Sequence, residues 1–124
     1  MFQSLCLVAL GGAIGASLRF LASTAAIRLL GAGFPFGTAF VNVVGSFAMG
    51  VLFALVARKG ASGLSLFLMT GVLGGFTTFS AFSLDAVALW ERGEMRLALI
   101  YIGVSVFLSL GALAAGLWIA RSLA

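Results

Sequence analysis

Four long apolar runs occupy almost the whole chain, and they constrain its fold more than any other feature does. A helix needs about 20 mostly apolar residues to cross a bilayer, and each run is long enough. The connections between the runs are too short to form a soluble domain. The sequence therefore predicts an all-α integral membrane protein with four transmembrane helices, forming a single domain over residues 1–124. The runs are Phe2 to Arg28, Phe36 to Ala57, Leu64 to Trp90 and Leu97 to Ala120.

The composition agrees with a membrane location and excludes several functional classes. The chain is 63% hydrophobic and 8% charged, whereas soluble domains are about 45–50% apolar and about 25% charged. Its basic residues are scattered at the ends of the apolar runs, so they predict no nucleic-acid site. With no histidine and one cysteine, Cys6, the chain offers neither a redox pair nor a nucleophile–base pair. We therefore expect a non-enzymatic protein. The first apolar run lacks the basic start of a secretory signal, so we expect it to be a retained helix.

The positive charges do little to determine the orientation in which the chain inserts into a membrane. An excess of Lys and Arg normally marks the cytoplasmic side, but here three basic residues fall on each side of four successive crossings. This balance favours dual topology, in which chains insert both ways up and pair as an antiparallel homodimer. The alternative is that one strong loop decides the orientation. The two sets are Arg28, Arg92 and Arg96 on one side, and Arg58, Lys59 and Arg121 on the other.

Polar side chains form a stripe along each of two spans, where lipid would disfavour them. Both stripes have the i, i+4, i+8 spacing that places residues on one helix face. One interpretation is ordinary hydrogen bonding between helices. The other is an uncharged polar path, which suits a small anion that must leave again, because tight binding would block conduction. The stripes are Thr38, Asn42 and Ser46 in the second span, and Tyr101, Ser105 and Ser109 in the fourth.

The third span contains a stretch that predicts a helix broken at mid-membrane. Gly74 and Gly75 weaken the helix, and the hydroxyls of Thr77, Thr78 and Ser80 are able to cap a new one. Irregular backbone at that depth persists only where it is buried in protein or lines a cavity. The free carbonyl and N–H groups of two half-helices could hold ions. The alternative is a tolerated kink without function.

Phe79 and Phe82 follow the break at a spacing of i, i+3. They either pack as ordinary buried aromatics or point ring edges into a pore. The edge of an aromatic ring carries partial positive charge, so the second arrangement would favour an anion.

The motifs in these spans resemble those of the Fluc (CrcB) family of bacterial fluoride channels, over the whole chain. "GGFTTFSAFSLD" is similar to the family's GGxTTFSTF signature, and "GGAIGASLRF" to its first-span GGxxGAxxR motif. "FPFGTAFVNVVGSFAMG" resembles its second span. Two positions depart from the pattern: Ala81 replaces a threonine, and Asp85 replaces the usual glutamate.

The resemblance implies a passive, fluoride-selective channel that exports fluoride from the cytoplasm. It implies a dual-topology homodimer with two antiparallel pores in the lipid of the cell inner (plasma) membrane, and a structural Na⁺ at the dimer centre. The backbone carbonyls of Gly74 and Thr77 would hold the Na⁺, and Arg19 and Thr38 would lie at the vestibule. The implied fluoride pore residues are Asn42, Phe79, Phe82, Tyr101, Ser105 and Ser109.

The main alternative is a small four-span drug exporter that also works as an antiparallel dimer. Proton-coupled export of cations requires a titrating carboxylate within the membrane. Asp85 is the one acidic residue inside a span, and it lies beyond the polar break. A second alternative, a membrane scaffold, explains the small-residue spacings but gives no purpose to the stripes or the break. Proton-coupled fluoride exchange is disfavoured because no chain of titratable groups crosses the protein.

Overall fold

The structure is a computed structural model that describes residues 1–123, all of them in helices or short connections. The four predicted spans are confirmed as helical stretches long and apolar enough to cross a membrane. The first, second and fourth spans are the continuous helices α1 (Phe2–Leu30), α2 (Phe36–Lys59) and α6 (Met95–Ser122). The third span is divided into α3 (Gly63–Ser65), a π segment (Leu66–Leu73), α4 (Gly74–Phe76) and α5 (Phe79–Glu91).

The connections are tight because glycines end the helices where the chain turns. Gly31 follows α1 with φ 82°, and Gly60 follows α2 with φ 87°. Backbone with positive φ costs other L-residues energy but is readily adopted by glycine, which is why glycine so often ends a helix. Such short turns make successive spans antiparallel neighbours, so the first and third connections emerge on one side of the bundle.

Small residues allow the spans to pack backbone against backbone. A Cβ atom added to Gly11 of α1 would lie 2.8 Å from the Cα of Gly71 in the π segment. Gly50 of α2 and Gly116 of α6 likewise face the backbone of the opposite helix. These glycines therefore serve helix packing, as is usual in membrane bundles.

The exterior of the bundle is apolar, and its buried centre is small. Within residues 1–123, one cluster of buried side chains joins α5 to α6 and contains Phe82, Leu89 and Tyr101. Large side chains such as Phe20, which is 69% exposed, cover the outside of the spans. A surface of this kind is stable when lipid or another apolar surface covers it.

The break in the third span is present, but it lies after the two glycines and not at them. Gly74 and Gly75 are helical, and the backbone becomes extended at Thr77 (φ −88°, ψ 156°) and Thr78 (φ −154°, ψ 117°). The glycines expected to weaken the helix are thus helical themselves, and the break falls at the two threonines that follow. The small size of the glycines serves packing instead, since a Cβ atom on Gly75 would lie 2.5 Å from the carbonyl oxygen of Gly12.

Candidate functional site

The two extended residues of the break are stabilised by their own hydroxyl groups. The Thr77 Oγ1 donates to the carbonyl of Leu73 at 2.8 Å, in addition to the bond that this carbonyl accepts from the Thr77 N–H at 3.0 Å. The Thr78 Oγ1 accepts from the N–H of Ala81 at 3.1 Å and so caps α5. A threonine cap of this kind stabilises a helix by about 1 kcal/mol. The prediction that Thr78 begins a new helix is confirmed; Ser80 lies inside α5 and contacts the Thr78 hydroxyl at 3.2 Å.

Asn42 of α2 binds the backbone of the break in two places. Its Nδ2 donates to the carbonyl of Thr78 at 3.0 Å, and its Oδ1 accepts from the N–H of Thr78 at 2.7 Å. This pairing explains how a carboxamide is accommodated inside a membrane span, where an unpaired amide would be costly. One N–H of the Asn42 amide remains outside the pair.

Arg19 of α1 lies on the other side of the break. Its Nε donates to the carbonyl of Gly75 at 3.0 Å, and the side chain is partly buried. Side chains of α1 and α2 therefore satisfy backbone groups just before the extended residues, at Gly75, and at the second extended residue, Thr78. The placement of Arg19 at a vestibule stays a prediction.

A cavity of about 340 Å³ joins the two polar stripes to the break. It brings together five of the six residues that the sequence proposes for a pore, namely Asn42, Phe79, Phe82, Ser105 and Ser109. Three further residues complete its polar wall: Ser46, Thr77 and Thr78. Ser46 is recognisable from its place in the second-span stripe, whereas the backbone of Thr78 contributes only because the helix is broken there. No charged side chain from the described part of the chain lines this cavity.

The hydroxyl of Ser105 is buried without a partner. The residue is 5% exposed, and its Oγ makes no hydrogen bond with any part of residues 1–123. Buried polar groups nearly always have a partner. A hydroxyl that lines a cavity and lacks one is therefore suited to a water molecule or a small ion within the cavity.

The two phenylalanines after the break differ in how they are held. Their ring centroids are 5.4 Å apart, with the ring planes inclined at 50°. Phe82 is 9% exposed and packs on Tyr101 at a centroid distance of 5.3 Å. Phe79 is 78% exposed and projects from the bundle. A single chain thus fixes one ring and leaves the other free to contact a neighbouring molecule.

Tyr101 and Thr38 lie apart from the cavity that contains Asn42. Tyr101 is fully buried, and its hydroxyl donates to Asp85 Oδ2 at 3.2 Å. Thr38 and Asp85 line a second cavity of about 250 Å³, next to the turn between α1 and α2. The shorter side chain of Asp85 therefore still reaches a partner. The sequence does not reveal the pair, because its members are sixteen positions apart on different helices.

The backbone carbonyls of Gly74 and Thr77, which the family resemblance proposes as ligands of a cation, lie at the break. The carbonyls of Leu73, Gly75 and Thr78 accept hydrogen bonds. Among the described residues, no hydrogen bond is found to the carbonyls of Gly74 and Thr77. Carbonyl oxygens are suitable ligands for a hard cation such as Na⁺. The donor set therefore fits the cation that the family resemblance implies, without any acidic side chain.

Comparison with known proteins gives a consistent result along the chain. A family model described as "CrcB-like protein, Camphor Resistance (CrcB)" matches residues 6–117. A protein of Cereibacter sphaeroides named fluoride-specific ion channel FluC is 61% identical over 117 residues, 94% of each chain. A protein of the same name from Chelativorans sp. is 58% identical over 121 residues, 96% of this chain and 97% of its own.

A third relative, from Rhizobium johnstonii and also named fluoride-specific ion channel FluC, is 56% identical over 126 residues, and the match covers both chains completely. All three relatives are named as ion channels, a function that involves no catalysis. The expectation that the chain is not an enzyme is confirmed by these relatives.

Proposed function

This chain belongs to the Fluc (CrcB) family, and from that membership we propose that it is a passive, fluoride-selective channel that exports fluoride from the cytoplasm. The observation that carries the proposal is the cavity at the break, where both polar stripes meet two aromatic rings and no charged side chain. The names of the relatives support fluoride as the ion. The whole chain, residues 1–124, would act as one four-helix channel domain.

Fluoride is small and strongly hydrated, so a pore must replace its water with other dipoles. The free N–H of Asn42 and the hydroxyls of Ser105 and Ser109 would donate to the ion inside the cavity. The ring edges of Phe79 and Phe82 would add weak positive potential at little cost of desolvation. Tyr101 would extend the polar track towards Asp85 and the second cavity. Arg19 and Thr38 would lie at the vestibule of the pore. Neutral donors bind an anion weakly enough for it to leave.

The proposed assembly is an antiparallel, dual-topology homodimer with two pores, in the inner membrane of the cell. The exposed ring of Phe79 and the apolar exterior support a partner chain at this face. The equal distribution of basic residues supports insertion in both orientations. Each pore would then be completed by side chains of both chains.

A structural Na⁺ at the dimer centre would be held by the backbone carbonyls of Gly74 and Thr77 from both chains. Support comes from the free state of these carbonyls and from the exposure of Gly74 on the single chain. When bound, the ion would supply positive charge that balances the carbonyl dipoles and brings two broken spans together. The neighbouring carbonyls of Gly75 and Leu73 already accept hydrogen bonds from the side chains of Arg19 and Thr77, so they are not proposed as ligands of the ion.

The drug-exporter alternative lacks support in the structure. A proton-coupled exporter of cations requires a carboxylate in its binding cavity. The cavity at the break has none, and Asp85 is engaged with Tyr101.

Ion efflux from liposomes that contain the purified protein tests the proposal. Fluoride and chloride electrodes record both ions in parallel, and empty liposomes serve as the control. We expect fast fluoride release with chloride retained. Release of neither ion by protein verified as dimeric would overturn the proposal, and equal release of both would overturn its selectivity.

A further inference from the structure

The double hydrogen bond between Asn42 and Thr78 indicates a role beyond donation to an ion. We propose that Asn42 is a positioning residue, which fixes the backbone of the break so that Thr77 and Phe79 present their functional groups. This inference rests on the proposed function, because it assigns a role within the same pore.

The geometry of the pair allows one orientation of the Asn42 amide. Its oxygen faces the Thr78 N–H at 2.7 Å, and its nitrogen faces the Thr78 carbonyl at 3.0 Å. Rotating the amide by half a turn would bring donor against donor and acceptor against acceptor. The side chain therefore pairs with Thr78 as a neighbouring β-strand would, and supplies the partners that a helix would otherwise provide.

Thr78 stands between two residues with proposed functions. Thr77 precedes it and carries a free carbonyl; Phe79 follows it and is the first residue of α5. Fixing both backbone groups of Thr78 restricts the rotation of the peptide units that join it to these neighbours. Asn42 therefore orients the Thr77 carbonyl and the Phe79 ring together, although it touches neither through this pair.

The two threonine hydroxyls of the break are not available to replace Asn42 in this pairing. The hydroxyl of Thr77 donates to Leu73, and that of Thr78 caps Ala81. Without Asn42, the N–H and carbonyl of Thr78 would lose the side-chain partners that they have in the folded chain. Exposed backbone of this kind costs enough to drive local rearrangement of the break.

Hydrogen exchange of the Thr78 amide, followed by NMR on the intact protein, tests the pairing independently of transport. In Asn42→Ala we expect exchange at Thr78 to accelerate about tenfold or more, because the amide loses its acceptor. Gln3→Ala removes an exposed amide near the chain start and is the matched control. Unchanged exchange at Thr78 would overturn the inference. Should Asn42→Ala fail to fold, Asn42→Asp keeps an acceptor and is expected to keep Thr78 protected.

An amide-to-ester replacement at Thr78 separates positioning from direct donation to fluoride. It removes the Thr78 N–H and leaves every side chain in place, Asn42 included. We expect fluoride efflux to fall about tenfold, whereas an ester at Val44, which removes an ordinary hydrogen bond of α2, is expected to change efflux less than twofold. If Asn42 only donates to fluoride, the Thr78 ester will behave like the Val44 ester, and the inference fails.

The two measurements also separate this inference from the proposed function. If the wild-type protein releases no fluoride, the proposed function fails, and the exchange experiment still decides whether Asn42 holds Thr78. If fluoride is released but exchange and efflux do not respond as described, only the positioning role is overturned.

Discussion

The hydroxyl of Ser105 is buried but has no hydrogen-bond partner in the described chain, so it contributes little to folding. We expect Ser105→Ala to leave the melting temperature of the purified protein unchanged. Fluoride efflux should fall about fivefold, the worth of one hydrogen bond of about 1 kcal/mol to the moving ion. Ser122→Ala removes an exposed hydroxyl at the end of α6 and is the control. A large loss of stability in Ser105→Ala would show a structural role instead.

Phe82 is held by Tyr101, so its ring has a defined place at the cavity. Phe82→Ile removes the ring edge and keeps most of the apolar volume. We expect fluoride efflux to decrease while the dimer stays intact in size-exclusion chromatography. Phe107→Ile alters a ring that is 76% exposed on α6 and lies outside the cavity, and it should leave efflux unchanged. Unaltered efflux in Phe82→Ile would argue against the aromatic edge.

Arg19 supplies the Gly75 carbonyl with its partner. Arg19→Ala leaves that carbonyl without a donor inside the bundle, which costs about 1–3 kcal/mol. Chemical unfolding in detergent should show this loss, whereas Arg121→Ala, at an exposed position, should not. Equal stability of the two variants would contradict the contact.

The side-chain roles at the break were only partly predictable from sequence. The stripe spacing selects Asn42, Ser105 and Ser109 for the cavity wall, because helical periodicity places them on one face. The partner of Asn42 could not be predicted, since it is the backbone of a residue 36 positions away. Tyr101 shares the periodicity of its stripe but lies apart from the cavity, because Phe82 covers it and Asp85 binds its hydroxyl.

Among the helices, α1 and the π segment show how closely the backbones approach. Gly11 and Gly12 are adjacent, yet a Cβ atom on Gly11 would collide with the π segment while one on Gly12 would meet nothing within 4 Å. We expect Gly11→Ala to destabilise the protein by about 1–3 kcal/mol through overpacking. Gly12→Ala should be neutral or stabilise it by up to about 1 kcal/mol. Equal unfolding midpoints for the two variants would contradict the packing.

The spans themselves follow directly from the lengths of the apolar runs, and the second half of the third span follows from the capping residue Thr78. The π segment does not. Its sequence, Leu66–Leu73, is apolar except for Thr70 and contains no local signal for wider winding. Its contacts with the glycines of α1 are made in the folded bundle, and sequence periodicity within one span contains no information about them.

For the whole molecule, the balance of basic residues predicts that small changes in charge will fix the orientation. Arg58→Ala combined with Lys59→Ala removes both basic residues of the second connection. The first and third connections should then lie in the cytoplasm. Arg28→Ala combined with Arg96→Ala should favour the opposite orientation. Reporter tags at the chain end measure each outcome.

If the active form is an antiparallel dimer, neither of these charge variants should transport fluoride alone. Expressed together in one cell, they should restore fluoride resistance to a sensitive strain. Full activity of either variant alone, with its orientation verified as uniform, would contradict the antiparallel assembly.

The contacts at the break also have a consequence for how the protein is made. The third span carries an interrupted backbone that lipid cannot satisfy, and the side chains that satisfy it from outside that span belong to α1 and α2. Ribosomes synthesise these two helices first. During biosynthesis, the first hairpin is therefore a template already in the membrane when the third span leaves the translocon. Without these two helices, the break would be exposed to lipid at the moment of insertion, so the order of synthesis protects the interrupted backbone of the third span.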